Sequence, residues 1–118
     1  MIEWPAGFID EGETGIEAAV RELREEAGYT CVPKFESKSH FTDSWKSSDS
    51  GKLVFVDIDL TKDENKNPKV DLEFAEDIET FWLPLEGVLE AVEKKAKDEG
   101  CEIDGRVHTF LLGLSHKF

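Results

Sequence analysis

Residues 7–29 read GFIDEGETGIEAAVRELREEAGY. Thr14 stands three residues ahead of Glu17, the spacing of a reciprocal helix cap, and Gly28 supplies a natural stop. A helix is therefore predicted over Gly15–Ala27, with Ile16, Ala19, Val20, Leu23 and Ala27 recurring at helical spacing as its buried stripe. Glu22, Glu25 and Glu26 lie three and four residues apart and so share one face of that helix. Like charges at this spacing cost an isolated helix about 0.2–0.5 kcal/mol per pair. They also sit in its C-terminal half, where the helix dipole disfavours negative charge. A cluster placed against both preferences points to a cationic partner, and hard carboxylate oxygens suit Mg²⁺ or Mn²⁺. Arg21 is adjacent and placed to orient a carboxylate through a bidentate pair, with Glu13 as the second orienting residue. Gly7 and Gly12 let the preceding loop approach the helix closely.

The rest of the chain bounds what such a site can serve. With 118 residues, 39% hydrophobic and 35% charged, the sequence reads as one globular domain over 1–118. Twenty-seven acidic residues against fourteen basic ones give a formal net charge of −13. No basic patch is visible, which argues against a nucleic-acid binder. A phosphorylated substrate would need metal cations between itself and this surface. No apolar run approaches the roughly 20 residues of a membrane span. Met1-Ile2-Glu3-Trp4-Pro5 is no signal peptide, so a cytoplasmic or nuclear location is expected. Cys31 and Cys101 read as free thiols, and His40, His108 and His116 show neither metal-ligand nor triad spacing.

Beyond the helix, residues 30–41 predict a strand with an interruption near Ser37, and residues 42–51 a polar loop. Residues 52–60 alternate as a half-buried strand, and 61–77 form a charged loop. Residues 78–83 predict a short strand ended by Pro84. Leu85, Val88, Leu89, Val92 and Ala96 mark a helix over 85–97 with Gly100 as its stop. A last helix starts with Asp104 as N-cap and is expected to bury Val107, Phe110, Leu111 and Leu114. The order defines an α/β layered domain.

The 7–29 stretch resembles the Nudix box, G-x5-E-x7-R-E-U-x-E-E-x-G-U, with U aliphatic or aromatic. Gly7, Glu13, Arg21, Glu22, Glu25, Glu26 and Gly28 meet its fixed positions, and Leu23 and Tyr29 the two U positions. The resemblance implies an α/β/α sandwich with a mixed sheet. It implies that the backbone carbonyl of Ala6 with Glu22, Glu25 and Glu26 would hold the metal, which would neutralise a diphosphate and help activate water. The lead Glu3-Trp4-Pro5-Ala6-Gly7, the turn Asp10-Glu11-Gly12-Glu13 and the tail from Ile103 are similar to ADP-ribose pyrophosphatases and ADP-sugar diphosphatases. That likeness implies hydrolysis of ADP-ribose or a related ADP-sugar to AMP and a sugar phosphate. It assigns catalytic roles to Glu25 and to a base in the 76–79 segment, where Glu76 aligns best and Glu73 next.

Two departures from the subfamily pattern stand out. Asp43 is followed by Ser44 and Trp45 where the subfamily has proline, which leaves open another nucleoside diphosphate derivative or a triphosphate as substrate. Trp45 has two readings: stacking on a base or ribose as a substrate-binding residue, or packing on its own loop. The sequence also begins almost at the box, so the N-terminal strands and dimerising region of the subfamily are expected to be missing. Such a chain would expose sheet edges, with a homodimer expected of a longer form and an inactive interaction module as the rival reading.

Overall fold

The computed structural model describes residues 1–43, 45–71, 73 and 77–117. They fall into two compact units, Pro5–Ile78 and a second made of Met1–Trp4 with Glu79–Phe118. Helices combine with small sheets, as an α/β chain requires. No helix among the described residues is long and apolar enough to cross a membrane.

In the first unit, helix α1 spans Gly15–Ala27. Its start is the reciprocal cap: the Thr14 hydroxyl accepts from the Glu17 amide at 3.1 Å, and the Glu17 carboxylate accepts from the Thr14 amide at 3.1 Å. Its end is Gly28 at φ 81°, whose N–H donates to the Arg24 carbonyl at 2.9 Å. Gly15, Ala18 and Ala27 are the buried positions of α1, while Ile16, Ala19, Val20 and Leu23 are half-buried. The helix packs on strands β1 (Val32–Glu36) and β4 (Val54–Asp57), which pair antiparallel. The register shifts between Pro33 and Phe35, as expected where a proline cannot donate to the ladder.

Ser37 ends β1. Its amide donates to the Leu53 carbonyl at 2.9 Å, and its hydroxyl accepts from the Leu53 amide at 2.8 Å. The chain then resumes as β2 (His40–Phe41), paired antiparallel with β3 (Ser50–Gly51). Val54 and Val56 are half-buried, while Phe35 and Phe55 stack on the exposed side with ring centroids 5.7 Å apart. A short 3-10 helix, Asp63–Asn65, follows in the charged loop.

The second unit is built on helices α2 (Val88–Glu99) and α3 (Gly105–Ser115). Ile2, Val92, Ala96, Val107 and Leu111 form its core, backed by Phe81, Leu83 and Ile103. Ile2 joins by a parallel bridge to Ile103, its amide donating to the Glu102 carbonyl at 2.8 Å. Asp104 caps α3 as its sequence position predicts.

Three expectations are corrected here. Residues 78–83 form no ladder; Phe81 and Leu83 instead turn onto the α2–α3 core, and Lys95 lies 4.5 Å from the Phe81 ring. Leu85 is 75% exposed because α2 begins only at Val88. In α3, Phe110 and Leu114 are exposed, since the narrow contact with α2 takes only Val107 and Leu111. Phe110 meets the Trp4 ring edge-on at 5.9 Å.

Candidate active site

Because α1 repeats every 3.6 residues, Arg21 projects beside Glu22 and Glu25, with Glu26 one position further round. The loop ahead of the helix folds back onto this face. Arg21 Nε donates to Glu13 Oε2 at 2.8 Å and Nη2 to Glu13 Oε1 at 3.0 Å. Nη2 also donates to the Phe8 carbonyl at 2.9 Å, and Asp10 lies at 3.5 Å. On the other side of the guanidinium, Nη1 donates to Glu22 Oε1 at 2.9 Å and to Glu25 Oε2 at 3.2 Å. The Ala6 amide donates to Glu26 Oε2 at 3.1 Å. Gly7 supplies the remaining wall: a Cβ on it would collide with the Glu22 carboxyl group, so only glycine leaves that carboxylate its place.

Electrostatics follow from this packing. The Arg21 hydrogen bond, and after it the Asp10 amide, hold the Glu13 carboxyl at about 2 against the usual 4.5. Arg21 is pushed upward, chiefly by its hydrogen bond to Glu13. Burial pushes the Cys31 thiol up, away from nucleophilic use.

The structure thus brings together Ala6, Glu13, Arg21, Glu22, Glu25 and Glu26. Among the described residues no three acidic, histidine or cysteine side chains converge on one point as ligands. The geometry explains this: Glu22 and Glu25 are turned to the guanidinium and Glu26 to the Ala6 amide. The donor set nevertheless fits a hard divalent cation. Its oxygens are carboxylates, the hard donors such an ion takes, and two of them already pair with the positive charge of Arg21.

Other expected residues lie elsewhere. Glu76 falls outside the described residues. Glu73 is exposed, and its amide donates to Asp71 Oδ1 at 3.1 Å. Trp45, in the β2–β3 loop, is 80% exposed. With Phe41, Lys46, Ser47 and Ser48 it lines an open depression of about 460 Å³, and the Lys46 ammonium lies 4.4 Å from its ring. Sequence reading missed Asp10 and the Phe8 carbonyl as members of the Arg21 shell. The i, i+3 spacing of Asp10 and Glu13 was the available signal for the first.

The NUDIX domain family profile matches residues 2–101, and the chain belongs to the Nudix family. It is 40% identical over 116 residues to an uncharacterized Nudix hydrolase of Schizosaccharomyces pombe, covering 96% of this chain and 55% of that protein. To the ADP-ribose pyrophosphatase of Saccharomyces cerevisiae it is 36% identical over 113 residues, covering 96% of this chain and 48% of that one. The ADP-sugar pyrophosphatase of Mus musculus is 31% identical over 115 residues, with 98% of this chain and 53% of that protein covered. The chain spans about half the length of the curated relatives it matches.

Proposed function

We propose that this chain carries the catalytic helix of a divalent-metal-dependent pyrophosphohydrolase acting on ADP-ribose or a related ADP-sugar. Water adds to a phosphorus of the diphosphate, the bridging P–O bond breaks, and AMP and a sugar phosphate leave. The observation that carries this reading is that Glu22 and Glu25 share the Arg21 guanidinium, with Glu22 against Gly7 and Glu26 held by the Ala6 amide. Mg²⁺, or Mn²⁺, would be held by those carboxylates and the Ala6 carbonyl, where it would neutralise the diphosphate and lower the pKa of a water. Glu13 and Arg21 fix the loop against the helix and orient Glu22 and Glu25. Glu25 and Glu76 are the residues proposed to take the proton of the attacking water. Trp45 is proposed to stack on the base or ribose, its exposed ring and the neighbouring Lys46 suiting a flat, anionic ligand.

A second substrate reading rests on the same loop. Ser44 and Trp45 stand where the ADP-ribose subfamily has proline, which favours another nucleoside diphosphate derivative as the alternative.

The test is hydrolysis of ADP-ribose by the purified chain with and without Mg²⁺, AMP being resolved by chromatography. Glu26→Gln is expected to abolish turnover while circular dichroism stays unchanged. Equal turnover in that variant would rule out the metal assignment. Turnover of other nucleoside diphosphate derivatives but not ADP-ribose would select the second reading.

A further inference from the structure

Asn65 is the buried polar residue among the described residues, 4% exposed, and it has no part in the chemistry above. Its Oδ1 accepts from the Thr30 amide at 2.8 Å and from the Thr30 hydroxyl at 3.2 Å. Its Nδ2 donates to the Thr30 carbonyl at 3.1 Å and to the Asp59 carbonyl at 2.9 Å. One side chain thereby fastens the charged loop to the residue that leaves the catalytic helix. Further along the same loop, the backbone of Lys69 lies against Gly28, where a Cβ would stand 2.6 Å from the Lys69 nitrogen. Two residues on, the Asp71 amide donates to the Glu25 carbonyl at 2.9 Å.

The last contact has a particular meaning. The final four carbonyls of a helix have no donor within it. Gly28 satisfies that of Arg24, and Asp71 satisfies that of Glu25. The turn held in this way carries carboxylates that repel one another and oppose the helix dipole, so left to itself it would fray.

We propose that the 59–71 segment, fastened by Asn65, is a positioning element for the metal-binding carboxylates and acts through the Asp71 amide on the Glu25 backbone. The inference rests on reading Glu22, Glu25 and Glu26 as metal ligands. Groups that hold ligands in place typically change metal affinity by about 10–100-fold when altered.

The experiment is a Mn²⁺ titration of the full chain, followed by electron paramagnetic resonance, with thermal midpoints measured in parallel. Asp71→Pro removes the amide proton and is expected to weaken Mn²⁺ binding by about tenfold. Asp71→Asn keeps the amide and should restore wild-type affinity. Val107→Ala thins the core of the other unit; it should lower the midpoint and leave Mn²⁺ binding unchanged, which separates positioning from general destabilisation. Where Asp71→Pro does not fold, Asn65→Asp decides: it keeps the bonds accepted from Thr30, loses both donated ones, and should weaken binding in the same direction. Wild-type affinity in the folded variants would overturn the positioning role and leave the metal reading standing. Failure of the unmutated chain to bind Mn²⁺ would overturn both.

Discussion

Arg21 and Glu13 meet along two parallel hydrogen bonds, Nε to Oε2 at 2.8 Å and Nη2 to Oε1 at 3.0 Å. This fork-to-fork pairing closes the loop ahead of α1 and aims the remaining nitrogen at Glu22 and Glu25. Its strength shows in the Glu13 carboxyl, and that makes it measurable.

Folding lowers the Glu13 pKa from 4.5 to about 2, with Arg21 the main cause. A depressed carboxyl contributes stability that is complete above its unfolded value and disappears as pH falls through the folded one. The thermal midpoint should therefore decline between about pH 4.5 and 2. Glu13→Gln should begin with a lower midpoint and decline less across that window. An identical slope in the variant, measured by circular dichroism melts, would remove Glu13 as the source.

Gly7→Ala tests the space beside Glu22. The added methyl would occupy the position of the Glu22 carboxyl group and turn it aside. Mn²⁺ affinity is expected to fall by about tenfold, with little change in thermal midpoint because the loop there is exposed. Unchanged affinity by calorimetric titration would show that Glu22 can act from another rotamer.

Asn65→Ala removes a buried side chain that serves the Thr30 amide and carbonyl and the Asp59 carbonyl. A lost buried hydrogen-bond partner costs about 1–3 kcal/mol, and a loss of that size is expected in urea unfolding. A difference smaller than a few tenths of a kcal/mol, roughly what an exposed substitution gives, would mean that water replaces the amide.

Asp104→Ala removes the α3 cap, whose carboxylate accepts from the Arg106 amide at 2.9 Å and the Val107 amide at 3.4 Å. Loss of a cap costs about 1 kcal/mol. Asp104→Ser should keep most of it, and equal unfolding midpoints for the two variants would deny the capping role.

What could be read in advance was local. Thr14, Glu17 and Gly28 mark both ends of α1 through chemistry completed within one turn, and Asp104 does the same for α3. The break at Ser37 was legible because polar and apolar residues stop alternating there. Contacts between distant segments left no such trace. Asn65 looks like any amide in a charged loop, because its partners Thr30 and Asp59 reach it only through the fold. Residues 78–83 end in an apolar run, Phe81-Trp82-Leu83, stopped by Pro84, yet such a run does not show whether a neighbouring strand exists. Their buried side faces helices instead. In the site, helical spacing sufficed to group Glu22, Glu25 and Glu26. It could not show that Arg21 would hold two of them at once.

The Phe35 and Phe55 rings, paired on the open side of β1 and β4, belong to the apolar surface that this chain shows to water. Copies bearing a net charge of −13 repel one another across water, and that repulsion keeps the aromatic faces apart. Salt shortens its reach to about 8 Å at physiological ionic strength, and acid removes it near the sequence pI of 4.5. Concentrated stocks should therefore stay clear in dilute alkaline buffer and turn turbid when salted or acidified.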